Sequence, residues 1–242
     1  MRAKQSSVCV VNALLLVTLA GCSKSNFTIH KGLSKSKLQP DVIGAVDKKY
    51  VVTLKALLDT GLVDVNGVDE HGNGLLTHAI SNYENYDPPN RDVAVLDLLL
   101  AAGADPNAGR DLPLVAAAEM DSPEAVRVLI KYGAKVNISG EDGFTPLLAA
   151  LPSGRRQLMD VVHLLLDNGA DVNAKEKEHG YSALMLACSE HRADGEAIVR
   201  TLLEHGADVN ATDVNGETAL SVPLNWCQSD QKVRELLSSR MH

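Results

Sequence analysis

Eight histidines and four cysteines are the side chains of this 242-residue chain best suited to nucleophilic, acid–base or metal chemistry. Their spacing organises none of it. His205 directly precedes Gly206 in what reads as a helix end, His163 lies in an apolar-periodic run, and His71 and His179 sit in short polar stretches. The chain has no His-Glu-x-x-His zinc pair, no Gly-x-Ser-x-Gly nucleophile turn and no glycine-rich phosphate loop. Cys188 and His191 are spaced to offer two metal ligands, but no second pair stands at the distance a tetrahedral site needs. The sequence therefore predicts no catalytic residue, no metal, no cofactor and no enzymatic activity.

Composition narrows the class further. Hydrophobic residues make up 45% of the chain and aromatic ones 3%, so a core is available but must be built from small aliphatic side chains. Basic side chains number 23 against 31 acidic ones, a formal −8. That balance excludes a general nucleic-acid binder, which needs many Lys or Arg on one face. Six of the basic residues precede residue 41 and none of the acids does, so the remainder is more acidic still. Such a surface steers a basic or mixed-charge partner.

The elements that would position these residues recur. Gly61-Leu-Val-Asp-Val-Asn66, Gly103-Ala-Asp-Pro-Asn107, Gly133-Ala-Lys-Val-Asn137, Gly169-Ala-Asp-Val-Asn173 and Gly206-Ala-Asp-Val-Asn210 align, and apolar runs such as Leu98-Leu99-Leu100 and Leu164-Leu165-Leu166 precede them. A glycine there ends a helix by entering the left-handed region. A polar stretch follows each Asn, and then a helix start such as Thr145-Pro146-Leu147, with Thr145 as cap and Pro146 where its missing N–H is not needed. Ser182-Ala183-Leu184 and Thr218-Ala219-Leu220 read as variants of that start, and the Asp side chains of the turns as bonding their own backbone.

Asp142-Gly143-Phe144-Thr145-Pro146-Leu147 and Gly169-Ala170-Asp171-Val172-Asn173-Ala174 strongly resemble the ankyrin repeat, over about residues 40–242. The resemblance implies an all-α solenoid of about six helix pairs with β-turn fingers: a leading pair from Asp41 to Asp59, four internal repeats, and a closing pair from Thr218 to Ser238. Successive Asn positions lie 41, 30, 36 and 37 residues apart, against ~33 in the family. The short unit loses residues in its finger, Ala108 to Leu112. The long ones gain them between helices, at 81–92, 151–158 and 188–196.

The first 40 residues read as an address and a spacer. Arg2 and Lys4 precede an apolar run from Val8 to Ala20, too short to span a bilayer, which takes ~20 residues. Leu19-Ala20-Gly21-Cys22 resembles the lipobox of bacterial lipoproteins, which implies cleavage before Cys22, diacylation of its thiol and, with Ser23 next, sorting to the outer membrane facing the periplasm. Residues 22–40 then read as a lipidated Cys and a flexible basic tether, and 41–242 as the repeat domain. Cys188 and Cys227 fall near the ends of adjacent inner helices, where they either form a disulfide or pack as small apolar side chains.

Two surfaces are candidates for a partner. In proteins resembling this one the fingers and inner helices form a concave face, which here carries Asp69, Glu70, His71, Arg110, Asp111, Glu141, Asp142, Glu176, Glu178 and Asp213. Those residues are either contact points or ordinary solvated turns. The second surface is the interhelical-loop edge with Tyr83, Tyr86, Arg91, Arg155, Arg156, Arg192 and Trp226, residue types that anchor interfaces. Bacterial ankyrin lipoproteins, which the chain resembles, include immunity proteins that block periplasmic toxins such as type VI secretion phospholipases. The resemblance thus implies a membrane-anchored inhibitor, monomeric when free, whose partner is a secreted effector. The alternative is an envelope scaffold supporting a resident periplasmic protein.

Overall fold

The computed structural model describes residues 42–46, 51–59, 61, 63–69, 71–81, 93–110, 112–153, 158–189, 194–222 and 226–241. The chain divides into two compact units, Met1–Asp64 and Val65–His242. In the first, residues 42–46 are helical and α1 spans Val51–Asp59, with Val42, Val46 and Leu54 buried.

The second unit runs α2 (Leu75–Ser81), α3 (Ala94–Ala101), α4 (Pro113–Glu119), α5 (Pro123–Lys131), α6 (Pro146–Ala150), a short 3-10 turn (Leu151–Ser153), α7 (Leu158–Asp167), α8 (Ala183–Ser189), α9 (Gly195–Glu204), α10 (Trp226–Ser229) and α11 (Gln231–Ser238). The helices pair in chain order, α2 with α3 through α10 with α11, and pairs stack along two columns. Inner helices α2, α4, α6, α8 and α10 each pack on the next, while α3 packs on α5, α5 on α7 and α9 on α11. Among the described residues there is no strand; the fingers form only isolated bridges, Val68 with Gly74 and Lys175 with Ser182.

Local chemistry explains the helix boundaries. Thr145 Oγ1 accepts the Leu148 N–H at 3.4 Å, Ser182 Oγ accepts that of Met185 at 3.4 Å, and Pro146 occupies the first helical position of α6. At the end of α5, Gly133 has φ 88°, and the N–H groups of Gly133 and Ala134 return to Ile130 O and Leu129 O at 3.0 Å each. Between α4 and α5 the chain reverses in three residues, Met120 to Ser122, with the buried Asp121 at φ 54°. No helix is self-sufficient at these lengths, so the stacked core carries the stability. Leu75, Leu99, Leu114, Leu129, Leu147, Leu165 and Leu184 are fully buried in it, each contributing ~1.5–3 kcal/mol of transfer free energy.

Two features differ from the sequence expectation. The closing pair does not begin as a helix at Thr218. Residues 218–222 form a turn in which the Thr218 N–H donates to Ser221 Oγ at 2.7 Å, and the Ser221 and Val222 N–H groups donate to Thr218 O at 2.9 and 3.1 Å. Pro223 disfavours a helical residue before it, and the Gln228 side-chain amide takes Leu220 O. The repeat asparagines also do more than close their own turns. Asn137 accepts the Asp171 N–H at 2.7 Å and donates to Gly169 O at 2.9 Å, and Asn173 does the same with Asp208 N–H and Gly206 O at 2.8 and 3.1 Å. Asn66 and Asn107 make the equivalent pairs, so one amide per repeat ties each turn to the next. Asp105, Asp171 and Asp208 bond their own backbone as expected, each accepting the N–H two residues on at 2.9 Å.

Candidate functional site

The fingers of the second unit are stitched to one another through the main chain. Arg110 N–H donates to Gly72 O at 3.4 Å, Lys177 N–H to Asp142 O at 2.9 Å, and Val214 N–H to His179 O at 2.9 Å. Lysine side chains reinforce this, Lys177 Nζ reaching Glu141 O at 3.1 Å and Lys175 Nζ reaching Thr212 O at 2.6 Å.

Carboxylates hold each finger in shape from inside. Asp69 Oδ1 accepts the N–H groups of His71 and Asn73 at 2.8 Å each, and Oδ2 meets His78 Nε2 at 3.0 Å. Asp213 Oδ1 accepts those of Asn215 and Glu217, both at 2.8 Å. Glu176 wraps a longer finger, with Oε2 on Glu178 N–H at 2.7 Å and Oε1 on His179 and Tyr181 N–H at 2.8 and 2.9 Å. The Asn73 N–H leads in pulling the Asp69 carboxyl down to about 2. For Asp213 the Glu217 N–H does the same, placing it below its ordinary value. Burial alone pushes Glu176 up, but the N–H groups of Tyr181, Glu178 and His179 outweigh it and the carboxyl ends lower than usual.

These bonds correct three site assignments. Asp69, Glu176 and Asp213 are read from the sequence as contact points or solvated turns, but the Asp69 side chain is only 13% exposed, Glu176 4% and Asp213 7%. Their oxygens are turned into their own fingers because a tight turn leaves N–H groups that need an acceptor. A fourth correction concerns Trp226, placed by the sequence on the exposed loop edge. It is 7% exposed, donates Nε1–H to Ala187 O at 2.9 Å, and lays its ring on Gly195, where any Cβ would overlap it. Beside it the Cys188 and Cys227 sulfurs are bonded, with Cα atoms 5.3 Å apart.

Arg110, Glu141 and Asp142 are exposed and come together. They line a groove of about 420 Å³ whose floor is the outward face of α4, with Val115, Glu119 and the following Met120. Thr77 and Ser81 of α2 also line it. Glu119 and Met120 are not among the sequence candidates, since they lie at the end of an inner helix and not in a finger. The available signal was that Glu119 is the one charged residue of Pro113–Glu119 and falls opposite Leu114, Ala117 and Ala118, which are buried. His71 and Glu178 are exposed at finger tips. Cys22, Glu70, Tyr83, Tyr86, Arg91, Asp111, Arg155, Arg156 and Arg192 lie outside the described residues.

Among the described residues no three His, Cys, Asp or Glu side chains gather to hold a metal, and no helix is long and apolar enough to cross a membrane. The groove's groups are suited to holding another molecule by charge and apolar contact.

A family model described as ankyrin repeats, three copies, matches residues 89–176 and again 156–242. The chain belongs to the ankyrin-repeat family. This ankyrin-repeat chain is 25% identical to a solved ankyrin repeat protein, EF0377, with a TM-score of 0.70 over 83% of this chain and 97% of that one. It is 27% identical to the ankyrin repeat domain of Bcl-3, a member of the IkappaB protein family, with a TM-score of 0.62 over 74% of this chain and 77% of that one. Among curated relatives it is 38% identical over 122 residues to alpha-latroinsectotoxin-Lt1a of Latrodectus tredecimguttatus, and 30% over 162 residues to potassium channel AKT2/3 of Arabidopsis thaliana. Those stretches are 49% and 64% of this chain but only 8% and 19% of the relatives. Ankyrin repeats are in general non-enzymatic modules that bind other proteins.

Proposed function

We propose that this chain is a membrane-anchored protein-binding module of the bacterial periplasm, and that it acts as an immunity protein which occludes a toxic effector such as a secreted phospholipase. The observation that carries the reading is the junction Leu19-Ala20-Gly21-Cys22, at the end of the apolar run Val8 to Ala20 and ahead of a repeat array. An acylated Cys22 would confine the module to the surface that a membrane-attacking enzyme must reach, raising its effective concentration there. The Cys188–Cys227 bond supports an oxidising compartment. A stack of repeats held by amides and finger bonds is a pre-formed surface, so little ordering entropy opposes association.

The test uses the full chain with a C-terminal tag. Capture of a secreted lipase whose activity is abolished at a stoichiometric ratio is the expected result, with Cys22→Ser releasing the protein from the membrane fraction. Capture of a resident envelope protein that keeps its activity would instead identify a scaffold.

A further inference from the structure

We propose that the groove over α4 is the docking site for an extended basic segment of the protein partner. A lysine or arginine head sits among Glu119, Glu141 and Asp142, and its aliphatic stem lies along Val115 and Met120. This rests on the protein-binding reading above and names the chemistry of what is bound.

The groove lies in the shortest repeat, since the Asn107-to-Asn137 unit is 30 residues long and its finger is the shortened one. The opening of about 420 Å³ lies within the ~300–1,000 Å³ range of specific pockets, enough for a few side chains. Among the described residues, three carboxylates line it against one guanidinium, that of Arg110. The Arg110 side chain runs beside Gly72, and its backbone N–H is bonded to that residue's carbonyl, so it is held on the preceding finger. The Lys177 ammonium is engaged by the Glu141 main-chain carbonyl.

Glu119, Glu141 and Asp142 are all exposed. Asp142 accepts one N–H, from Phe144 at 3.0 Å, and an ionised carboxylate has about four acceptor positions, so it retains capacity for a cation. Between the carboxylates the half-exposed Val115, Ala116 and Met120 present an apolar strip. Long cationic side chains suit such a mixture, since the stem buries on apolar surface while the head reaches charge. Methionine adapts to whatever shape lies on it. An acidic segment would meet three like charges.

The experiment measures fluorescence anisotropy of the full chain with three labelled peptides of equal length, in which leucine alternates with arginine, glutamine or glutamate. The arginine peptide should bind about tenfold more tightly than the glutamine peptide. The Glu119→Gln, Glu141→Gln double variant should lose most of that preference, whereas Glu204→Gln on α9 should keep it. All these positions are exposed, and matching thermal melts would show that the fold is intact. Equal binding of the three peptides, preference for glutamate, no arginine binding, or an unaltered double variant would each overturn the proposal. Effector capture with the same double variant separates the two readings. Undiminished capture removes the groove but keeps the immunity function. Arginine-peptide binding without any captured effector keeps the groove and removes that function.

Discussion

At the residue scale the amides tie successive turns together and the carboxylates hold each finger in shape. Asn173 makes two bonds to the following repeat, so Asn173→Ala strands one donor and one acceptor. A loss of about 1–2 kcal/mol is expected in urea denaturation. Asn210, in the last of the five turns, should cost less than about 0.5 kcal/mol on the same change, as surface substitutions usually do. The finger carboxylates make stability depend on acid. A carboxyl near 2 when folded and about 3.9 when unfolded takes up protons first in the unfolded chain. Its contribution is therefore complete above about pH 4 and lost as pH falls toward 2, with Glu176 and Asp213 shifted in the same direction. Thermal melts between about pH 6 and pH 2 should show Tm falling through that window, with a shallower fall for Asp69→Asn. Asp105, Asp171 and Asp208 were legible as turn formers, but the inward aim of Asp69 and Asp213 was not, since an exposed finger carboxylate and a bonded one have the same spacing in the chain.

At the element scale the closing unit depends on attachments other than a full inner helix. The turn at 218–222 replaces one, and α10 has four residues. The Cys188–Cys227 bond, the Trp226 ring on Gly195 and the Arg240 bond to Leu203 O at 3.3 Å hold that unit to the preceding repeat. The bond closes a loop of 39 residues, for which the chain-entropy estimate is about 4 kcal/mol. The Cys188→Ser, Cys227→Ser double variant should melt at lower temperature, and hydrogen exchange should show α10 and α11 opening first. Gly195→Ala should force the ring aside at about 1–3 kcal/mol. Trp226 is the sole tryptophan, so a red-shifted emission reports its displacement directly. The helix starts at Thr145 and Ser182 were readable because a cap acts within four residues. The failed start at Thr218 was not, because Ser221 Oγ takes the Thr218 N–H and the Gln228 side chain, eight residues on, takes Leu220 O.

At the scale of the whole molecule the formal charge of −8 acts at a distance. Association with a basic partner should slow markedly when ionic strength rises from about 0.05 to about 0.5 M, with dissociation changing less. Stopped-flow measurement of both rates would check this; an association rate insensitive to salt would oppose the electrostatic reading. The repeat class, its helix ends and the Asn positions were determined by sequence alone, because glycine, proline and capping side chains act on their own neighbours and the pattern recurs five times. Only the tertiary structure decided which charges are structural and which are presented. Asp69, Glu176 and Asp213 turn inward to N–H groups that the folded finger creates, while Arg110, Glu119 and Glu141, distant in the chain, meet around one groove. Those outcomes depend on what lies across a gap in space, which spacing along the chain does not encode.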